Sequence, residues 1–187
     1  MIVEEPKTIF IHIPKNAGPS VESIFKHYTI LNDMFNRHGT IYDIKNRLPN
    51  IYKDYMKFTI IRNPYDRIVS FYSYLKEYNS LFKAPYNISF IDWLKNPEKV
   101  EIPFNSNWIN VLGYFKNQLE WIDDTVDIIK FENLNEELNN LFGKEIDLPI
   151  KNNTKHKHYL EYYNTESLNI VYDRYKEDFK KFNYKRL

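Results

Sequence analysis

Lys7-Thr8-Ile9-Phe10-Ile11-His12-Ile13-Pro14-Lys15-Asn16-Ala17-Gly18-Pro19-Ser20 opens as a nearly continuous apolar run and closes in a turn of small residues. A short unbroken apolar run suits a strand buried on both faces, as in a parallel sheet. Pro14 to Gly18 breaks it. After Gly18, Val21, Ile24, Phe25 and Tyr28 follow at the i, i+3, i+4, i+7 spacing of a helix with one buried face. Pro19 stands where a first helical residue would, a place its fixed φ favours. Residues 7–28 therefore read as strand, tight loop and helix.

The same grammar returns downstream. Phe58-Thr59-Ile60-Ile61 reads as a second buried strand. Asn63-Pro64-Tyr65-Asp66 then starts a helix, with Asn as cap, Pro at the first position and an acid in the first turn. Ile68, Phe71, Tyr72 and Leu75 mark its buried stripe. Val126-Asp127-Ile128-Ile129-Lys130-Phe131 predicts a third strand. The helix after it has Asn133 as cap and Glu136 three residues on, close to a capping box. A last helix carries Leu168, Val171, Tyr172, Tyr175, Phe179 and Phe182 on one face. Residues 81–117 are the least regular, cut by Pro85, Pro97 and Pro103, and are expected to form an acceptor-side lid. Alternating strands and helices predict an α/β fold: one domain over residues 1–187, with a central parallel sheet flanked by helices.

Composition bounds the chemistry. The chain has 187 residues, 43% of them apolar, enough for one domain with a real core and short for two. Lys and Arg number 26 against 25 Asp and Glu, which lacks the basic excess of a general nucleic-acid binder. There is no cysteine, which excludes disulfides, cysteine-based zinc sites and a thiol nucleophile. Met1-Ile2-Val3-Glu4-Glu5-Pro6 lacks the basic and apolar regions of a secretory signal. No apolar run is long enough to cross a bilayer. The expectation is a soluble, intracellular protein without membrane insertion.

Ligands of open α/β sheets bind at the carboxyl ends of the strands. The first such place holds Pro14 to Ser20, where a small-residue loop would offer backbone N–H groups, Lys15 a mobile charge and Ser20 a hydroxyl. It is P-loop-like without being a Walker A motif, because Lys15 precedes Gly18 instead of following it. That order argues against an ordinary ATP or GTP kinase. By itself the loop suits an anion site or an ordinary turn. At the second place, Arg62 ends a strand and Ser70 lies about two turns into the next helix. An Arg fork with a hydroxyl can grip a phosphate monoester. The same residues also suit an Arg62–Asp66 pair with Ser70 packed.

The two segments together resemble the PAPS-dependent sulfotransferase family, whose donor is 3′-phosphoadenosine 5′-phosphosulfate. Ile11-His12-Ile13-Pro14-Lys15-Asn16-Ala17-Gly18-Pro19-Ser20 resembles its 5′-phosphosulfate-binding loop. Arg62-Asn63-Pro64-Tyr65-Asp66-Arg67-Ile68-Val69-Ser70-Phe71-Tyr72 resembles its 3′-phosphate-binding segment. Phe131-Glu132-Asn133-Leu134 is similar to a family strand-end motif, and the stretch from Asn153 to Tyr184 to the family C-terminus. The branch resembled holds many carbohydrate sulfotransferases, of heparan and chondroitin type. The resemblance implies an enzyme that moves a sulfuryl group from PAPS to a hydroxyl acceptor, a glycan in that branch, without a metal. It implies that Lys15 stabilises the leaving phosphate oxygen, that the amides of Asn16, Ala17, Gly18, Pro19 and Ser20 surround the 5′-phosphate, and that Arg62 and Ser70 bind the 3′-phosphate. One departure is Pro19, where the family often has Thr; Pro removes a hydroxyl and an N–H. A catalytically inactive glycan- or nucleotide-binding module of the same fold is the alternative that Pro19 favours.

An attacking hydroxyl must lose a proton, and His is the commonest general base near neutral pH. Of the five histidines, His12 lies in the first strand and reads as packed and hydrogen-bonded. His27 sits near a helix end, where it favours the dipole. His38, in Asn36-Arg37-His38-Gly39-Thr40 before a helix, resembles the base position of some carbohydrate sulfotransferases and is the candidate base. His156 and His158 stand at i, i+2 with no nearby acid or cysteine, too little for a metal site. Their segment reads as a solvated basic loop, or by resemblance as a loop closing over the donor with Lys155 on a phosphate.

Overall fold

A computed structural model describes residues 1–25, 38–81, 88–96, 115–149 and 156–187. The chain divides into two compact units, Met1–Arg62 with Gln118–Asn153 and Asn63–Asn117 with Thr154–Leu187. The first unit holds a four-stranded sheet in the order β1-β2-β3-β4. Its strands are β1 (Ile2–Val3), β2 (Thr8–Ile11), β3 (Met56–Ile61) and β4 (Asp127–Lys130). β2, β3 and β4 run parallel, with Ile11 beside Thr59 and Ile61 beside Lys130, so the carboxyl ends of neighbouring strands lie together. The predicted α/β fold with a largely parallel sheet is the one observed. β1 was not anticipated; it pairs antiparallel with β2 through Ile2 and Ile9.

One face of the sheet is apolar because alternate residues of each strand share a side. Phe10, Phe58, Ile60 and Ile129 lie there, with the Phe10 and Phe58 rings stacked at 5.0 Å. Val21 of α1 (Gly18–Glu22) and Leu138 of α6 (Leu134–Phe142) close this cluster. α1 ends sooner than its predicted stripe: Ile24 and Phe25 donate three residues back, to Val21 and Glu22, in a tightened turn. Tyr28 lies outside the described residues. α2 (Ile41–Arg47) is capped by Thr40 in a capping box with Asp43, and α3 (Pro49–Asp54) starts on a proline. The capping box expected at Asn133 does not form, since its side chain makes no cap bond. Phe131–Asn133 instead winds as a 3-10 turn, Leu134 N–H bonds Phe131 O, and Glu137 accepts from the Lys130 amide at 2.8 Å.

The second unit is helical. α4 (Pro64–Leu81) begins as predicted: the Asn63 side chain accepts from the Tyr65 amide at 3.0 Å and Asp66 stands in the first turn. Tyr65, Ile68, Phe71, Tyr72 and Leu75 pack with Phe90, Trp93 and Leu94 of α5 (Phe90–Lys95) and with Val171, Tyr175 and Phe179 of α7 (Thr165–Lys181). Each large apolar side chain so buried stabilises by roughly 1.5–3 kcal/mol. Burial pushes the Tyr175 hydroxyl up to about 12. α5 falls inside the stretch expected to be irregular, capped by Ser89. Residues 82–87 and 97–114, most of the expected lid, lie outside the described residues. Among the described residues no helix is long and apolar enough to cross a membrane.

Candidate active site

The chain leaves the carboxyl end of β2 through His12 and Ile13 into a turn. Lys15 at φ 70° and Ala17 at φ 58° occupy the left-handed region there. Left-handed residues in a turn curl successive N–H groups into a concavity that takes an anion. Most nearby amides are engaged. Asn16 N–H donates to Ile13 O at 3.4 Å, while Ser20 and Val21 N–H both donate to Ala17 O, at 3.0 and 3.2 Å. Pro19 has no N–H. The amides of Ala17 and Gly18 have no hydrogen-bond partner among the described residues. Native proteins rarely leave backbone donors so near the interior unsatisfied.

His12 backs this loop. Its Nδ1 shares a 3.0 Å hydrogen bond with Oε1 of Glu22, and both residues are buried. A buried carboxylate without such a partner would be strongly destabilising. The imidazole lies flat against Gly18, where an added Cβ would fall 1.8 Å from Nε2. Gly18 is therefore fixed by the close approach of a ring. Any side chain there would push His12 off Glu22.

His38 also meets His12. Its Nδ1 lies 2.9 Å from the backbone oxygen of His12, and the two rings meet edge-on at 4.5 Å. Trp121 adds a second edge-on contact at 6.3 Å. A carbonyl oxygen only accepts, so Nδ1 of His38 carries a proton, and in the neutral ring Nε2 holds the lone pair. That tautomer is the one a general base needs if Nε2 faces the acceptor.

At the end of β3, Arg62 is 8% exposed and its guanidinium stacks on the Phe131 ring at 4.1 Å. Nη1 donates to the Lys15 carbonyl at 3.0 Å, which helps hold Lys15 in its left-handed conformation. Asn16 is buried and donates through Nδ2 to Ile60 O and to Gln118 Oε1, both at 2.7 Å. Lys15, Asn16, Gly18, His38 and Arg62 are thus gathered at the carboxyl ends of β2 and β3, though they are up to 47 residues apart in sequence.

A family model described as the sulfotransferase family matches residues 1–185. The chain belongs to this sulfotransferase family. No curated protein and no solved structure matches it significantly. The reaction class of this sulfotransferase is sulfuryl transfer.

The remaining predicted residues of the sulfotransferase are placed as follows. Ser20 is buried in α1, and Ser70 is 6% exposed in α4 of the second unit. Lys155 and His27 lie outside the described residues. Nδ1 of His156 lies 2.7 Å from the Lys157 carbonyl, and His158 accepts from the Leu160 amide at the start of the turn Tyr159–Tyr162. His156, Lys157, Glu161 and Tyr162 line an open cleft. Sequence reasoning missed Gln118 and Glu22. Gln118 bonds residues 102 and 56 positions away, Glu22 meets His12 only once the turn between them closes, and no local spacing signals either.

Proposed function

We propose that this sulfotransferase takes PAPS as donor and moves its sulfuryl group to a hydroxyl of a carbohydrate acceptor. The observation that carries the donor reading is the pair of unpartnered amides, Ala17 and Gly18, in a left-handed turn beside Lys15. PAPS has a phosphosulfate on its 5′ side and a phosphate monoester on its 3′ side. The Ala17 and Gly18 amides and Lys15 suit the first; the forked guanidinium of Arg62 suits the second. Ser20 on the 5′ side, and Ser70 and Lys155 on phosphates, are assigned from the resemblance of their segments. The carbohydrate acceptor rests on the branch resembled by the two loops.

Sulfuryl transfer shares with phosphoryl transfer the need for in-line placement and stabilised charge on the leaving oxygen. The acceptor oxygen forms a bond to sulfur as the bond from sulfur to the 5′-phosphate oxygen breaks. The acceptor proton goes to Nε2 of His38, whose Nδ1–H is already directed at the His12 carbonyl. The negative charge released on the 5′-phosphate meets Lys15 and the loop amides. Leaving this site, 3′-phosphoadenosine 5′-phosphate (PAP) carries both phosphates away.

Donor recognition is expected to depend on the 3′-phosphate. A ligand that binds only the folded state raises Tm by mass action. At equal concentration PAP should stabilise the protein more than 5′-AMP or ATP, read by thermal shift. Equal shifts for PAP and 5′-AMP would overturn the assignment of Arg62 and with it the PAPS reading.

A further inference from the structure

Between the loop after β2 and the end of β3 lies a wholly buried glutamine. Gln118 is 0% exposed and opens the turn Gln118–Trp121. Its Oε1 accepts from the Arg62 amide at 2.9 Å, and its Nε2 donates to the Arg62 carbonyl at 2.9 Å. The side-chain amide therefore pairs with the Arg62 backbone in both directions, as a neighbouring strand would. The same Oε1 accepts from Asn16 Nδ2 at 2.7 Å, and that nitrogen also donates to Ile60 O. The donor and acceptor types leave one consistent orientation for both side-chain amides. One side chain, 102 residues from Asn16 and 56 from Arg62, thus grips both loops at once.

We infer that Gln118 is a positioning residue that sets the spacing between the 5′- and 3′-phosphate subsites. It thereby selects ligands that carry both phosphates; the inference rests on the donor reading above. A ligand with two phosphates gains from two subsites held at a fixed separation, because its second contact forms within an already placed molecule. A ligand with one phosphate uses one subsite and is indifferent to the distance. Loss of a merely structural hydrogen bond would weaken both kinds of ligand alike.

The test uses the full chain and the Gln118→Met and Gln118→Asn variants, with Kd measured by calorimetry for PAP, 5′-AMP and 3′-AMP. Gln118→Met removes every bond to Asn16 and Arg62. PAP should bind it about 10–100-fold more weakly, while either monophosphate changes by less than about 3-fold. Gln118→Asn keeps the amide but shortens its reach, and should show the same selective loss on a smaller scale. Should Gln118→Met fail to fold, Gln118→Asn decides by the same comparison. A loss shared equally by all three ligands, or no loss for PAP, overturns the role of Gln118. If the unaltered protein itself binds PAP no better than 5′-AMP, the donor reading has failed and takes the inference with it.

Discussion

Replacing His38 by alanine is expected to lower kcat by about 10²–10⁴-fold, the usual contribution of a positioned general base, with PAP affinity nearly unchanged. The split follows from the geometry. His38 reaches the site through its own Nδ1 bond to the His12 carbonyl, whereas the Lys15 carbonyl is held by Arg62. Gln at this position can keep the bond to the carbonyl but offers no basic nitrogen, so His38→Gln should stay folded and stay slow. Steady-state rates against pH give a second readout. In the unaltered protein kcat should fall as pH drops and the imidazole takes up a proton, since a protonated ring cannot accept another. His38→Ala should lose that acid limb. A variant that binds PAP poorly and keeps its kcat would make His38 part of the donor site and return the base to be sought elsewhere.

Lys15→Ala is expected to cost about 10²–10³ in kcat, as for other groups that meet charge developing on a leaving oxygen. The fold should be little affected. Both residues carry a Cβ, so the left-handed conformation at φ 70° is equally strained in each, and the bond from Arg62 goes to the backbone carbonyl that alanine retains. Single-turnover rates and melting curves separate the two effects. A folded Lys15→Ala variant with unchanged kcat would remove Lys15 from the chemistry.

The strand and loop of residues 7–18, the helix that begins at Gly18 and the Asn63-Pro64 helix start were legible because their signals are local: apolar runs, a capping side chain, a proline at a helix start. The early end of α1 at Glu22 was not. β1 was not legible, since two residues show no periodicity and Ile2 is explained only by its partner Ile9. The Asn133 pattern matched a capping box, yet Asn133 ends a 3-10 turn at φ −122°, ψ 28°, away from the extended backbone from which a capping side chain reaches the second or third amide. Within the site, Lys15, Gly18, Arg62 and His38 stood out by residue type and position. What joins them did not. Glu22 looked like an ordinary helix residue until His12 closed on it, and Gln118 became meaningful only through bonds to Asn16 and Arg62. The loop amides were expected as a set, but that Asn16 and Ser20 use theirs inside the turn while Ala17 and Gly18 do not was hidden for the same reason. Which N–H groups a loop leaves open depends on the turns it makes, and side-chain patterns carry little of that.

The most direct measurement of the central claim is transfer of sulfur label from PAPS to a panel of glycans, run in EDTA with PAP release followed in parallel. The account predicts label in a glycan hydroxyl ester, one PAP released for each label transferred, and loss of both in Lys15→Ala. PAP binding without transfer to any hydroxyl acceptor would contradict it and leave a binding module. Transfer of phosphate from ATP, abolished by EDTA, would contradict it in favour of a kinase.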